Sequence, residues 1–168
     1  SEAAQGCPVK DSDKPPCKCA KIHIDLRGTT VQWQTQFDPL WGDRAAQNVA
    51  CWKTSRAILV KSGLGESSGS KSGMYQVAEE NEDHSAMIIN TETAMQGIGY
   101  IDGQLEGNHP VLVGVDHDLN YRGGTLNEGT TDHYIVIVGR ACDDGNIYYL
   151  FYDVGTSFEN KGASDENK

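Results

Sequence analysis

Three side chains in this sequence have the types needed to open an amide bond: the thiol of Cys51, the imidazole of His133 and the carboxylate of Asp153. A thiolate attacks carbonyl carbon, an imidazole takes up and returns a proton, and a carboxylate fixes the tautomer of the imidazole. Together they make the recipe for acyl transfer through a thioester. The setting of each residue decides whether it can play its part. Ala50, Cys51, Thr54 or Ser55, Ile58 and Leu59 recur at intervals of three and four, Asn48 reads as an N-cap and Gly63 as a stop. That spacing predicts a buried helix with Cys51 in its first turn. There the unpaired N–H groups and the helix dipole favour an anion, and a neighbouring imidazolium adds to them. The combination lowers a cysteine pKa to roughly 3–4 in the most developed cases.

His133 and Asp153 lie on either side of a predicted hairpin. Pro110–Val115 and Tyr134–Val138 are runs rich in β-branched residues, Ile147–Tyr152 is an aromatic-rich third, and A-C-D-D-G-N supplies a turn between the second and third. A turn centred on Asp143 puts His133 and Asp153 directly opposite each other, with their side chains on one face. A turn centred slightly later leaves Asp153 diagonal or facing away. A helix followed by antiparallel strands gives the class α+β.

Taken singly, each of these residues has a bland explanation. A cysteine at a helix start fills a core, a histidine at a strand start is satisfied structurally, and an aspartate after a strand forms a turn. The order and context of all three together carry the catalytic reading. His23, His84, His109 and His117 lack that context, although His117 sits in a charged loop that could approach the cleft. In that loop Asp116, Asp118 and Asn120 alternate as in a calcium loop, but Tyr121 stands where glycine is needed and Glu128 is one residue too far on. Cys7, Cys17, Cys19 and His23 lack the two-residue gap of structural zinc knuckles. No metal or cofactor is therefore expected.

The chain of 168 residues carries 14 Lys and Arg against 24 Asp and Glu, a net charge of −10, without a basic cluster. Nucleic acid and anionic membrane surfaces are accordingly poor partners. No apolar run approaches the roughly 18–20 residues that span a bilayer, so no membrane insertion is expected. Five cysteines cannot all pair within one chain, and disulfides among the other four would suit an oxidising destination. Residues 1–29 read as a polar, cysteine-containing arm with a short strand at Lys21–Leu26, residues 30–158 as the catalytic domain and residues 159–168 as a disordered polar tail. Within the domain, residues 62–73 are a Gly/Ser linker. Met74–Ala78, Ala86–Ile89 and Ala94–Ile98 are amphipathic stretches read as one or two short helices.

A-C-W around Cys51 matches the end of the papain-type signature, and cysteine, histidine and aspartate occur in the papain-like order. More specifically, Gln36–Gly42 (Q-F-D-P-L-W-G), Pro110–Val115, Asp132–Gly139 and Tyr152–Asp153 resemble the motifs of small bacterial papain-like peptidases. These are related to bacteriocin-leader-processing enzymes and cell-wall amidases. The resemblance covers about residues 34–157. It implies a papain-like core, a nucleophile-bearing helix packed on an antiparallel sheet, with Cys51, His133 and Asp153 as the triad. It also implies an oxyanion donor upstream of the cysteine, for which Gln36 and Gln47 are the candidates and Gln36 is favoured. The glycine that usually borders the cysteine is missing, with Val49-Ala50 before Cys51 and Trp52 after it. The implied activity is that of a cysteine peptidase or amidase. The expected substrate is a peptide or cell-wall peptide, attacked by a secreted or delivered antibacterial effector, for which an inhibitory or immunity protein is a possible partner. Leader-peptide processing, a protein-directed protease, an inactive binding module and a transglutaminase-like acyl transferase are the alternatives.

Overall fold

β-Branched and aromatic residues fill the last third of the chain, and the main sheet forms there. The structure, a computed structural model, describes residues 23–63, 74–117, 129–143 and 146–168. It is a mixed α+β fold with antiparallel sheets. The long strand β5 (His133–Asp143) is the spine: β6 (Asn146–Asp153) pairs along one edge, and β4 (Val111–Val115) and β1 (Ile24–Asp25) share the other. Val115 faces His133 at one end of the β4 pairing, while Asp25 faces Gly139 further along.

The β5–β6 register decides where Asp153 points. Near the turn Asp143 pairs with Asn146 and Arg140 with Tyr149, so the hairpin is centred later than Asp143. Carried on unchanged, that register would set Asp153 opposite Val136, on the face away from His133. A bulge between Ile137 and Gly139 takes up one residue, after which Ile137 pairs with Phe151 and Ile135 with Asp153. Asp153 is thereby returned to the face of His133, one diagonal step away instead of directly opposite.

Ahead of the nucleophile, Asp38 accepts from Leu40 N to cap a 3-10 turn at Pro39–Trp41, and Asp43 accepts from Ala46 N to start α1 (Arg44–Asn48). Asn48 therefore ends one helix instead of capping the next. The expected helix starts later, as α2 (Cys51–Lys61), with Cys51 its first residue and Ala50 a cap without a side-chain bond. It stops at Ser62, followed by Gly63 at a φ of 89° that glycine adopts without strain. Thr54, Ser55 and Ile58 form its buried face, and Ser55 Oγ donates to Tyr134 O at 3.4 Å, tying the helix to the start of β5.

Of the three stretches read as helix, Met74–Ala78 is irregular up to Ala78, where a strand begins, and Ala86–Ile89 is a strand. β2 (Ala78–Glu80) and β3 (Met87–Ile89) pair as a hairpin, because Asn81 closes the turn by accepting from Ser85 N and Ala86 N, and Ile88-Ile89 favours extended backbone. The third stretch lies in α3 (Thr91–Glu106), where Asn90 caps Thr93 N. α2 and α3 both pack on β4 and β5, around a core of Ile58, Leu105, Val136, Val138, Tyr152 and Val154.

Two boundaries also change. The domain includes residues before position 30, since Leu26 is buried and its N–H reaches Val138 O at 2.8 Å. The tail is ordered: α4 (Glu159–Gly162) packs under Trp33, Phe151 N donates to Asn167 O, and Asp165 pairs with Arg27. Lys21 and Ile22, Cys7, Cys17 and Cys19, the linker from residue 64 to 73 and the calcium-like positions Asp118 and Asn120 lie outside the described residues. No helix among the described residues is long and apolar enough to cross a membrane.

At Gly139, beside the bulge, a β-carbon would collide with the carbonyl oxygen of Ile24 on β1 and press on Leu150 at 3.0 Å. Gly139→Ala should cost about 1–3 kcal/mol in urea unfolding, the usual scale for overpacking. An unchanged midpoint and slope would mean that β1 does not lie this close.

Candidate active site

Cys51, at the first position of α2, lies against His133, the first residue of β5. The Cys51 thiol and the His133 ring are near enough for each to favour the charged form of the other. His133 Nε2 lies 2.9 Å from Asp153 Oδ1. Since Asp153 occupies Nε2, Nδ1 is the ring nitrogen left for a second partner. All three residues predicted to act together are thus brought together by α2, β5 and β6. Asp153 is itself braced: Gly155 N donates to the same Oδ1 at 2.8 Å, and Trp33 Nε1 donates to the Asp153 carbonyl at 2.7 Å.

The electrostatics favour the charged form of every member. Burial, the largest single influence on Cys51, pushes its thiol up, but the His133 hydrogen bond, backbone N–H groups of Tyr134 and Trp52 and the attraction of His133 outweigh it, so the thiol is lowered. Burial likewise pushes His133 down, yet hydrogen bonds to Asp153 and Cys51, with the attraction of both, raise it to about 9. Asp153 is lowered, chiefly by the His133 hydrogen bond, against burial. Contact among the three thus favours the charged form of each.

The two glutamines differ. Gln36 is buried, and its Nε2 donates to the carbonyls of Gln47 (3.0 Å) and Asn48 (3.3 Å), the segment that leads into Cys51; its Oε1 is buried without a partner. Gln47 is only half-buried and donates to Gly42 O at 2.9 Å.

Some contributors were not singled out from sequence. A β-carbon on Gly155 would come within 3.1 Å of both His133 Cε1 and Asp153 Oδ1, so a larger residue there would press on both members of the pair. The D-V-G that follows β6 was a visible signal for it. Asp132 accepts from the His117 backbone at 3.0 Å and sits 3.0 Å from its Nδ1. The His117 ring does approach the site, centred 4.9 Å from that of His133. His23, His84 and His109 are not among the groups described around Cys51. Among the described residues no group of three or more His, Cys, Asp or Glu is arranged to hold a metal. Cys142 is disulfide-bonded, and Cys51 is the free cysteine of the described residues.

No protein-family model, curated protein or solved structure matches the chain.

The raised His133 has a consequence for stability. A group that binds its proton more tightly in the folded chain contributes stability that is complete below its unfolded pKa, about 6.5 for histidine, and is lost as pH rises through the folded value. The stability gap between wild type and His133→Ala should therefore narrow by about 1–3 kcal/mol between pH 6.5 and pH 9.5 in urea unfolding. A gap that stays constant across this window would show that His133 is not raised.

Proposed function

We propose that this protein is a papain-like cysteine hydrolase that cleaves amide bonds through a thioester on Cys51. The observation that carries the reading is His133 bridging the Cys51 thiol and the Asp153 carboxylate at the start of a helix. The Cys51 thiolate attacks the carbonyl carbon, forming an S–C bond and a tetrahedral oxyanion. His133 delivers its Nδ1 proton to the departing amine as the C–N bond breaks. Water then attacks the thioester, giving its proton to His133 as the S–C bond breaks and the acid product leaves. Asp153 keeps the ring in place throughout and balances the imidazolium charge. The backbone N–H of Cys51, at the open end of α2, serves as one oxyanion donor. Gln36, whose two Nε2 hydrogens are held by the Gln47 and Asn48 carbonyls, serves as the second by turning one of them towards the oxyanion. The burial of Gln36 beside the entry to α2 supports it over Gln47.

For substrate, peptide bonds of cell-wall peptides come first, cut by an effector that works outside the cell that makes it. The disulfide at Cys142 supports an oxidising destination, and a net charge of −10 argues against a reader of phosphate backbones.

The test is to incubate the protein with purified cell-wall fragments and with an unfolded polypeptide, reading products by mass spectrometry. New amine and acid termini should appear, and Cys51→Ala should lower their rate at least about 10⁴-fold. His133→Ala should do nearly the same, and Asp153→Asn less by one to two orders of magnitude. Gln36→Ala should lose about 10²–10³ while Gln47→Ala keeps its rate. Full turnover by Cys51→Ala would end the proposal.

A further inference from the structure

The His133 ring is held at more points than its contacts with Cys51 and Asp153. Gly155 closes on its Cε1 and Nε2 edge. Against its face lies His117, with ring centres 4.9 Å apart and planes inclined by 36°. That separation is within the range of aromatic pairs and within reach for a cation over a ring. His117 is placed there by design of the local backbone. Asp132, the residue before His133, donates its N–H to Val115 O and uses one carboxylate oxygen to hold both the backbone N–H and Nδ1 of His117. Since a carboxylate only accepts, Nδ1 carries the proton. Two carboxylate–imidazole pairs, Asp132 with His117 and Asp153 with His133, thus lie side by side with their rings tilted against each other. Among the described residues, Asp132, Asp153 and the Cys51 thiol are charged or chargeable groups that face these rings.

We propose that His117 is a positioning residue for His133: its ring face stabilises the imidazolium and stops the ring from turning away from Cys51. The inference rests on the reading of Cys51 and His133 as a thiolate–imidazolium pair, and a ring is all that it requires of position 117. An aromatic side chain without hydrogen-bonding nitrogens should therefore serve, whereas a methyl group should not.

Alkylation of Cys51 by iodoacetamide, followed by peptide mass spectrometry on the intact, disulfide-bonded chain from pH 5.5 to 9, needs no substrate. His117→Ala should slow alkylation near neutral pH by about two- to tenfold, the scale of an aromatic contact, and move the midpoint upward. His117→Phe should stay within about twofold of wild type, the lower bound of that contact. With the His117 side chain 60% exposed, both variants should melt like wild type. Equal rates for His117→Ala and wild type would overturn the proposal, as would His117→Phe reacting as slowly as His117→Ala. Wild-type Cys51 that reacts at pH 6 no faster than an ordinary thiol would instead overturn the thiolate–imidazolium reading itself, and with it this one.

Discussion

The 2.9 Å contact between His133 Nε2 and Asp153 Oδ1 is the constraint on which the site depends. It fixes which ring nitrogen is left for a second partner, and it offsets the cost of holding a charged imidazole where water is scarce. One irregularity in the sheet makes it possible. Strand pairing allows only two faces, and without the bulge between Ile137 and Gly139 the late turn would have sent Asp153 to the wrong one. Gly139, next to the bulge, pairs with Asp25 and leaves no room for a β-carbon beside Ile24, so the same short segment both shifts the register and receives β1.

Burial opposes the charged form of Cys51, His133 and Asp153 individually, and their mutual contact, helped by the backbone N–H groups of Tyr134, Trp52 and Gly155, reverses it for all three. The fold arranges this by placing the sulfur at the first residue of α2, where N–H groups are not yet used by the helix, and by locking α2 to β5 through Ser55 and Ile58. Trp33 and Gly155 then hold Asp153 from behind, one through its carbonyl and one through its carboxylate. The site is therefore supported from four separate parts of the sequence.

Much of this was legible in the residues themselves. The apolar spacing around Ile58 gave a helix stopping at Gly63, and the continuous β-branched runs gave three strands of the sheet in their observed places. What misled was local capping. Asp43 captured Ala46 N–H and built an extra helix, so Asn48 lost its expected role, and Asn81 closed a hairpin where short amphipathic stretches suggested helix. Opposite pairing of His133 and Asp153 was legible only as one of two outcomes, because a bulge leaves no periodic signature. Position 117 carried a histidine in a charged loop, but its contact with His133 depends on Asp132 folding back across the strand end, which no spacing rule encodes.

The central claim is that Cys51 and Asp153 together hold a proton on His133 well above neutral pH. Titrating the His133 ring by nuclear magnetic resonance reads this directly, in wild type and in Cys51→Ala. Wild-type His133 should stay protonated to about pH 9 and release its proton at lower pH once the thiol is gone. A wild-type ring that titrates near 6.5, the ordinary value for histidine, and does so unchanged without Cys51, would contradict it.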